Sequence, residues 1–199
     1  MGEATFQVSL RQRPGVLDPA KAITLTAVLD TPATLKTSAS VRVEDEPLKD
    51  VPMVQAEDFA AQTGGQVQIR EDKVGAVGKS FSHWDAQGHA LTWKITVPAS
   101  PQAPADGEYR LVVRYCATND VQREVVVDSS PPITAGSGRS ARFPSTGGFS
   151  STANDWSHAA VLGADGKPLV LRLCAGEHTI KLTNVDGQGM NLDYLALVR

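Results

Sequence analysis

Apolar and polar side chains alternate along nearly every hydrophobic stretch of this chain, and no stretch of ten residues or more carries a convincing amphipathic-helix pattern. Leu91, Trp93, Ile95 and Val97 alternate with Ala90, Thr92, Lys94 and Thr96, and the run stops at Pro98. Tyr109, Leu111, Val113 and Tyr115 repeat the pattern, as do Leu169, Leu171 and Leu173. At the end of the chain Ile180/Leu182 and Leu192/Tyr194/Ala196/Val198 flank the loop Asp186-Gly187-Gln188-Gly189, which reads as strand, tight loop, strand. Short strands with Gly and Pro punctuation predict an all-β fold, an antiparallel β-sandwich.

The chain divides near residue 50. Thr5–Leu10, Ile23–Leu29 and Ser40–Val43 read as three short strands separated by Pro14-Gly15, Asp18-Pro19 and Thr31-Pro32, and a charged, Pro-containing run from Glu44 to Asp50 reads as a linker. Residues 1–50 are therefore expected to form an N-terminal β extension or small junction subdomain, with the main sandwich in 51–199. Within the sandwich, residues 129–160 are the least regular part. A loop of this length is usually functional or disordered, and its embedded aromatics favour an ordered one.

Composition narrows the function classes. A formal charge of -3 over 199 residues leaves no basic excess, which argues against a nucleic-acid binder and against an anionic membrane surface as partner. No run of 18 apolar residues is present, and Met1-Gly2-Glu3 opens without a signal-peptide core, so any export signal is expected to lie in a longer parent protein. The two cysteines, Cys116 and Cys174, permit one disulfide without requiring it.

Several catalytic patterns fail on inspection. Gly78-Lys79-Ser80 would need a glycine at position 73 to make a phosphate loop, and that residue is Lys73. Gly136-Ser137-Gly138 lacks the strand and helix of a nucleophile elbow. The four histidines show no zinc spacing. His83 and His158 each stand beside a tryptophan, a placement that suits a ligand hydrogen-bonder or a solvated loop residue. A hydrolase or lyase built on His83, Asp85 and a loop serine would need those groups within hydrogen-bond reach, and no such arrangement is legible, so the chain is not expected to be an enzyme. Carboxylates form the one metal-capable set. Glu57 and Asp193, with oxygens such as the Gln55 carbonyl, would suit Ca2+ if the first and last strands of the sandwich pair. Asn191 and Asp193 stand where a strand leaves the Gly-rich loop, as ligand contacts or as a loop cap and a solvated strand residue.

Residues 52–199 resemble the carbohydrate-binding modules of families 6 and 35, jelly-roll, galactose-binding-like β-sandwiches attached to secreted polysaccharide-degrading enzymes. The resemblance rests on Val54-Gln55-Ala56-Glu57, on Gly107 to Tyr115 (G-x-Y-x-L-x-V-R-Y), on Phe143-Pro-Ser-Thr-Gly-Gly148 with a following Trp156, on Ala175 to Leu182, and on Gly189 to Tyr194 (G-x-N-x-D-Y). It implies a structural Ca2+ on Gln55, Glu57 and Asp193 with backbone carbonyls. It implies a sugar site with Trp156 as stacking ring and Asn191 as hydrogen-bonder; Trp84, with His83 beside it as a hydrogen-bonder, is the further candidate for that site. Two departures stand out: Phe149 follows the Thr-Gly-Gly where the family often has Trp or Tyr, and Trp84 either replaces a second ring or simply packs. Trp93 falls on a core face. The implied protein is a monomeric, non-catalytic binder of poly- or oligosaccharide from a secreted, cell-surface or periplasmic bacterial protein. Its parent catalytic domain would be a partner in cis, or the sandwich would serve that domain structurally without binding sugar.

Overall fold

The structure is a computed structural model that describes residues 23–28, 36–41, 47–99, 106–128, 140–162 and 167–199, the first two segments by their backbone. Fourteen strands and no helix occur among these residues. β1 (Ile23–Val28) and β2 (Lys36–Val41) pair antiparallel in a two-stranded sheet of their own. The expected strand at residues 5–10, the body of the linker and Gly136 to Gly138 lie outside the described residues.

The sandwich begins with β3 (Met53–Gln55), β4 (Ala61–Thr63), β5 (Gln68–Arg70), β6 (Ser80–Ser82), β7 (Ala90–Val97) and β8 (Asp106–Cys116). It continues with β9 (Val121–Val127), β10 (Ser140–Phe143), β11 (Ser157–Ala160), β12 (Val170–Cys174), β13 (Gly176–Asn184) and β14 (Asn191–Val198). One sheet runs β10-β9-β13-β7-β4. The other runs β11-β8-β14-β6-β5, with β12 also on β8 and β3 also on β14. All pairings are antiparallel, as the alternation predicts. β3 ends at Gln55, so Glu57 lies in the turn beyond the strand rather than on it. The stretch 129–160, predicted as loop, contributes the short edge strands β10 and β11.

The core lies between the sheets. From the first sheet Leu91, Trp93 and Ile95 of β7, Ile180 and Leu182 of β13 and Val121, Val125 and Val127 of β9 face inward; Leu111, Val113, Tyr115, Leu192, Leu195 and Leu197 face them from the second. The step from Leu192 to Leu195 breaks the alternation predicted for this strand. A β-bulge at Asp193 causes it: Leu192 pairs with Tyr115 and Tyr194 with Arg114, leaving Asp193 without a strand partner. The extra residue reverses the facing of everything after it, so Leu195 and Leu197 enter the core between the sheets while Tyr194 and Ala196 turn to the sheet's other face, where they are still buried.

Cys174 lies opposite Asp106 and Cys116 opposite Asn191, at the two ends of β8, so about ten residues of strand, roughly 33 Å, separate the thiols. They cannot form a disulfide, and burial pushes the Cys116 thiol up to about 12.

One ion pair, between buried His178 and exposed Asp128, makes the fold's stability pH-dependent. His178 Nδ1 lies 2.6 Å from Asp128 Oδ2 and its Nε2 lies 2.9 Å from the Cys174 carbonyl. Both ring nitrogens face acceptors, and only the imidazolium donates to both. Burial lowers the His178 pKa, but the Asp128 carboxylate and the Cys174 carbonyl outweigh it and raise the value above that of a free histidine. Asp128 is pushed up by burial and pulled lower still by His178 and by the Thr179 amide. A raised histidine stabilises fully below its unfolded pKa and loses that contribution as pH rises through the folded value. A depressed aspartate stabilises above its unfolded pKa and loses it as pH falls through its folded one. The pair should therefore act most fully between about pH 4 and pH 6.5. Melting should be higher at pH 5.5 than at pH 8.5, and His178→Gln should shrink that difference; an equal difference in the variant would place its origin elsewhere.

Candidate ligand-binding site

At one end of the sandwich four segments converge on a cleft of about 240 Å³, lined by Arg70, Lys73, Ser82, His83, Asp85, Phe149, Ser151, Gly189, Met190 and Asn191. Each wall has a local reason for its position. β6 ends at Ser82, and His83 then takes a left-handed backbone with φ 63°, which turns its exposed ring out of the strand direction. Such a conformation is uncommon for a residue other than glycine, and histidine, like asparagine and aspartate, adopts it more readily than most. Ser82 Oγ sits 2.9 Å from His83 Nδ1. In a hydrolytic triad that nitrogen faces a carboxylate, so the pair does not form one.

The second wall is the start of β14. Asn191 is buried, and its Nδ2 donates to the Phe149 carbonyl at 3.1 Å, which ties the 149–151 segment to the strand. Ser150 and Asp155 lock that segment from behind: the Ser150 amide donates to Asp155 Oδ2 and the Asp155 amide to Ser150 Oγ, both at 2.9 Å. Phe149 is left half-buried in the cleft. The third wall carries the cations. Arg70 pairs with Asp72 through Nε at 2.8 Å, and Lys73 Nζ donates to Ser151 Oγ at 3.0 Å. Gly189 lies between the walls, where an added Cβ would be 3.4 Å from Phe149 Cζ and 3.8 Å from Asp85 Cβ.

Of the residues predicted for a sugar site, the cleft holds His83 and Asn191 but neither tryptophan. Trp84 is wholly enclosed, 5.7 Å edge-on from Phe81, with Nε1 donating to the His89 carbonyl at 3.0 Å. Trp156 is 4% exposed, with Nε1 donating to the Val74 carbonyl at 3.0 Å. Each indole N–H finds a carbonyl, which makes burial of the ring inexpensive. Neither ring is open to stack on a sugar, and their expected role is corrected to packing. The open aromatic face belongs to Phe149, which in sequence stands out only as a departure from the family pattern. Arg70, Lys73 and Ser151 were missed; their only signal was proximity in sequence to glycines and serines, which is too common to single them out.

The predicted metal residues gather elsewhere, where β3 pairs with β14. Asp193 is wholly buried, which excludes the solvated alternative for it. Its Oδ2 pairs with Arg114 Nη1 and its Oδ1 accepts the Val77 amide at 3.0 Å. Burial pushes this carboxyl up, and Arg114 and the Val77 amide oppose that push. What Asp193 turns toward Gln55 is its backbone carbonyl. One terminal atom of the Gln55 side-chain amide lies 3.2 Å from the Val77 carbonyl oxygen and 3.3 Å from that of Asp193. Glu57 Oε2 is buried without a hydrogen-bond partner, and burial raises the Glu57 pKa despite its own amide. No group of three or more His, Cys, Asp or Glu side chains gathers among the described residues.

No known family model and no curated protein matches the chain. Solved structures do. A cycloisomaltooligosaccharide glucanotransferase of Paenibacillus sp., solved with cycloisomaltoheptaose, is 26% identical with a TM-score of 0.54, over 72% of this chain and 18% of that one. A family 35 carbohydrate-binding module from Clostridium thermocellum is 24% identical with a TM-score of 0.52, over 73% and 95%. A Podospora anserina β-(1,4)-mannanase carrying a family 35 module is 21% identical with a TM-score of 0.52, over 75% and 28%. The chain thus has the β-sandwich fold of family 35 carbohydrate-binding modules. It corresponds to less than a third of the two enzymes it resembles.

Proposed function

We propose that the sandwich is a non-catalytic carbohydrate-binding module and that the cleft beside Phe149 receives the sugar. The observation that carries this reading is the combination of one half-open aromatic ring with convergent polar groups at the loop end of this fold. The phenyl face suits the C–H face of a pyranose, while Asp85, Ser82, His83, Lys73 and Arg70 supply acceptors and donors for hydroxyls. The resemblance to portions of two larger enzymes supports a parent catalytic domain in cis.

A Ca2+ staple between β3 and β14 belongs to the same proposal. Glu57 Oε2 supports it, as a buried carboxylate oxygen with no donor, and so does the Gln55 amide, whose oxygen would complete a cluster with the carbonyls of Val77 and Asp193. An oxygen-only cluster suits a hard cation. Gln55, Glu57 and the two carbonyls would hold it, and the Asp193 carboxylate, bound to Arg114, would not be needed. The cation would supply only cross-strand stapling.

The rival reading, a structural sandwich that packs on a catalytic domain, is favoured by the burial of both Trp84 and Trp156. A glycan-array screen separates the two, with Gly189→Val as the paired control. Valine at 189 would project between Phe149 and Asp85 without left-handed backbone strain. Binding that the variant loses at unchanged melting temperature supports the cleft; no retention of any glycan by the native chain, with Ca2+ present, favours the structural role.

A further inference from the structure

Behind the cleft lies a buried cation that the alternation of β9 places on the inner face. Arg123 falls in register with Val121, Val125 and Val127 and is wholly enclosed. Its guanidinium carbon stands 4.4 Å over the Trp84 ring. Nη2 donates to the Trp84 carbonyl at 3.3 Å and to the Gln188 carbonyl at 2.8 Å, and Nη1 donates to the Gln122 carbonyl at 2.7 Å and pairs with Asp186 at 3.2 Å.

Asn184, also wholly buried, reaches the same two carbonyls, with Nδ2 3.1 Å from each. Its amide orientation is forced, because Oδ1 accepts the amides of Asp186 at 3.2 Å and Gly187 at 2.8 Å. Two side chains from neighbouring strands therefore grip one pair of carbonyls. The first carbonyl belongs to the residue between His83 and Asp85, the second to the residue before Gly189, Met190 and Asn191. Those segments form two of the walls of the cleft. Arg123 and Asn184 touch nothing in the cleft itself.

We propose that Arg123 and Asn184 are positioning residues that weld the 83–85 and 188–191 segments at a fixed separation, so that the cleft is preformed before any ligand enters. This inference rests on the carbohydrate reading of the cleft for its functional meaning, but the weld itself does not. A preformed cleft spares a ligand the ordering of two loops. Guanidinium geometry suits such a weld, because a planar fork spans two carbonyls that a lysine ammonium would have to choose between.

The test uses Asn184→Asp, which keeps the size and the acceptor but loses both donated bonds, and Arg123→Lys, which keeps the charge. Amide hydrogen exchange is read at Gly88, Gly187 and Gln188, whose N–H groups are bonded within the weld, and at Trp93 and Ile180 in the core. In both variants exchange at the weld should rise by about tenfold or more while the core amides stay within about twofold, and affinity for the glycan retained by the native chain should fall about tenfold. Unchanged exchange at the weld overturns the proposal. So does a uniform rise across core and loops, which would mark the pair as ordinary core residues, and so does local loosening with unaltered affinity. If the native chain retains no glycan, the carbohydrate reading fails, and the exchange pattern still decides whether the weld exists.

Discussion

Arg114→Ala should cost about 3–5 kcal/mol of stability, because it leaves the Asp193 carboxylate buried without its cation. Arg114 and Asp193 are 1% and 0% exposed at their side chains, so solvent does little to screen the loss. Arg114 also donates to the Gly75 carbonyl at 3.0 Å and lies between the rings of Trp156 and Tyr194, at 5.6 and 5.9 Å, so its removal also frees the 73–77 loop behind Lys73. For a chain of this size the loss corresponds to a fall in melting temperature on the order of 10 °C. The pH dependence gives a second check. Without Arg114, Asp193 would hold a proton in the folded state at a pH where the unfolded chain has released it, so the deficit should be largest near neutral pH and shrink toward pH 4. Removing both partners together, as Arg114→Met with Asp193→Leu, should cost less than the sum of the single changes. A melting temperature within 2 °C of native for Arg114→Ala would show the pair to be dispensable.

The same ion pair marks the limit of what the sequence discloses. Alternation made the sandwich legible, since Leu91, Trp93, Ile95, Leu111, Val113, Ile180 and Leu182 all face the core as their period predicts. Periodicity cannot register an inserted residue. The bulge at Asp193 reverses Tyr194 and Ala196, and only cross-strand pairing with Tyr115 and Arg114 reveals it. Alternation is equally silent on what a charge meets: Arg114 and Arg123 are both wholly enclosed, Arg114 with a buried carboxylate across from it and Arg123 with Trp84 and three carbonyls around it. The position of Arg123 among Val121, Val125 and Val127 was a readable signal. A charged residue in an apolar register calls for a partner.

The candidate site was half legible for a related reason. His83 and Asn191 reach the cleft because each flanks a strand end, where backbone geometry is set by the ladder. A tryptophan's role depends on whether a carbonyl lies within reach of its indole N–H, and that is a matter of tertiary contact. Trp84 and Trp156 both found one, from His89 and Val74. Phe149 has no polar atom to satisfy, and its segment is pinned on either side by Asn191 and by the reciprocal bonds of Ser150 and Asp155, so the ring is held in place while half-exposed.

Calcium should raise the melting temperature, and Glu57→Gln should remove that response. A cation at 100 times its dissociation constant would stabilise the folded chain by about 2.7 kcal/mol, a shift of roughly 5–10 °C at this size. Magnesium should do much less, because it demands a tighter octahedral shell than a turn and two strands would provide. The variant's behaviour in chelator is the sharper part of the prediction. Without metal, Glu57 keeps a buried oxygen that no donor reaches, a cost to the fold that its raised pKa also reflects. Glutamine removes the buried charge there at nearly the same size. In chelator Glu57→Gln should therefore match or exceed the native melting temperature, whereas in Ca2+ it should fall below it. This inversion separates a metal ligand from a carboxylate that merely packs, since loss of a packing residue would lower both curves together. Equal melting of the native chain in Ca2+ and in chelator would end the staple proposal, leaving the Gln55 amide to donate its N–H₂ to Val77 and Asp193 at 3.2 and 3.3 Å.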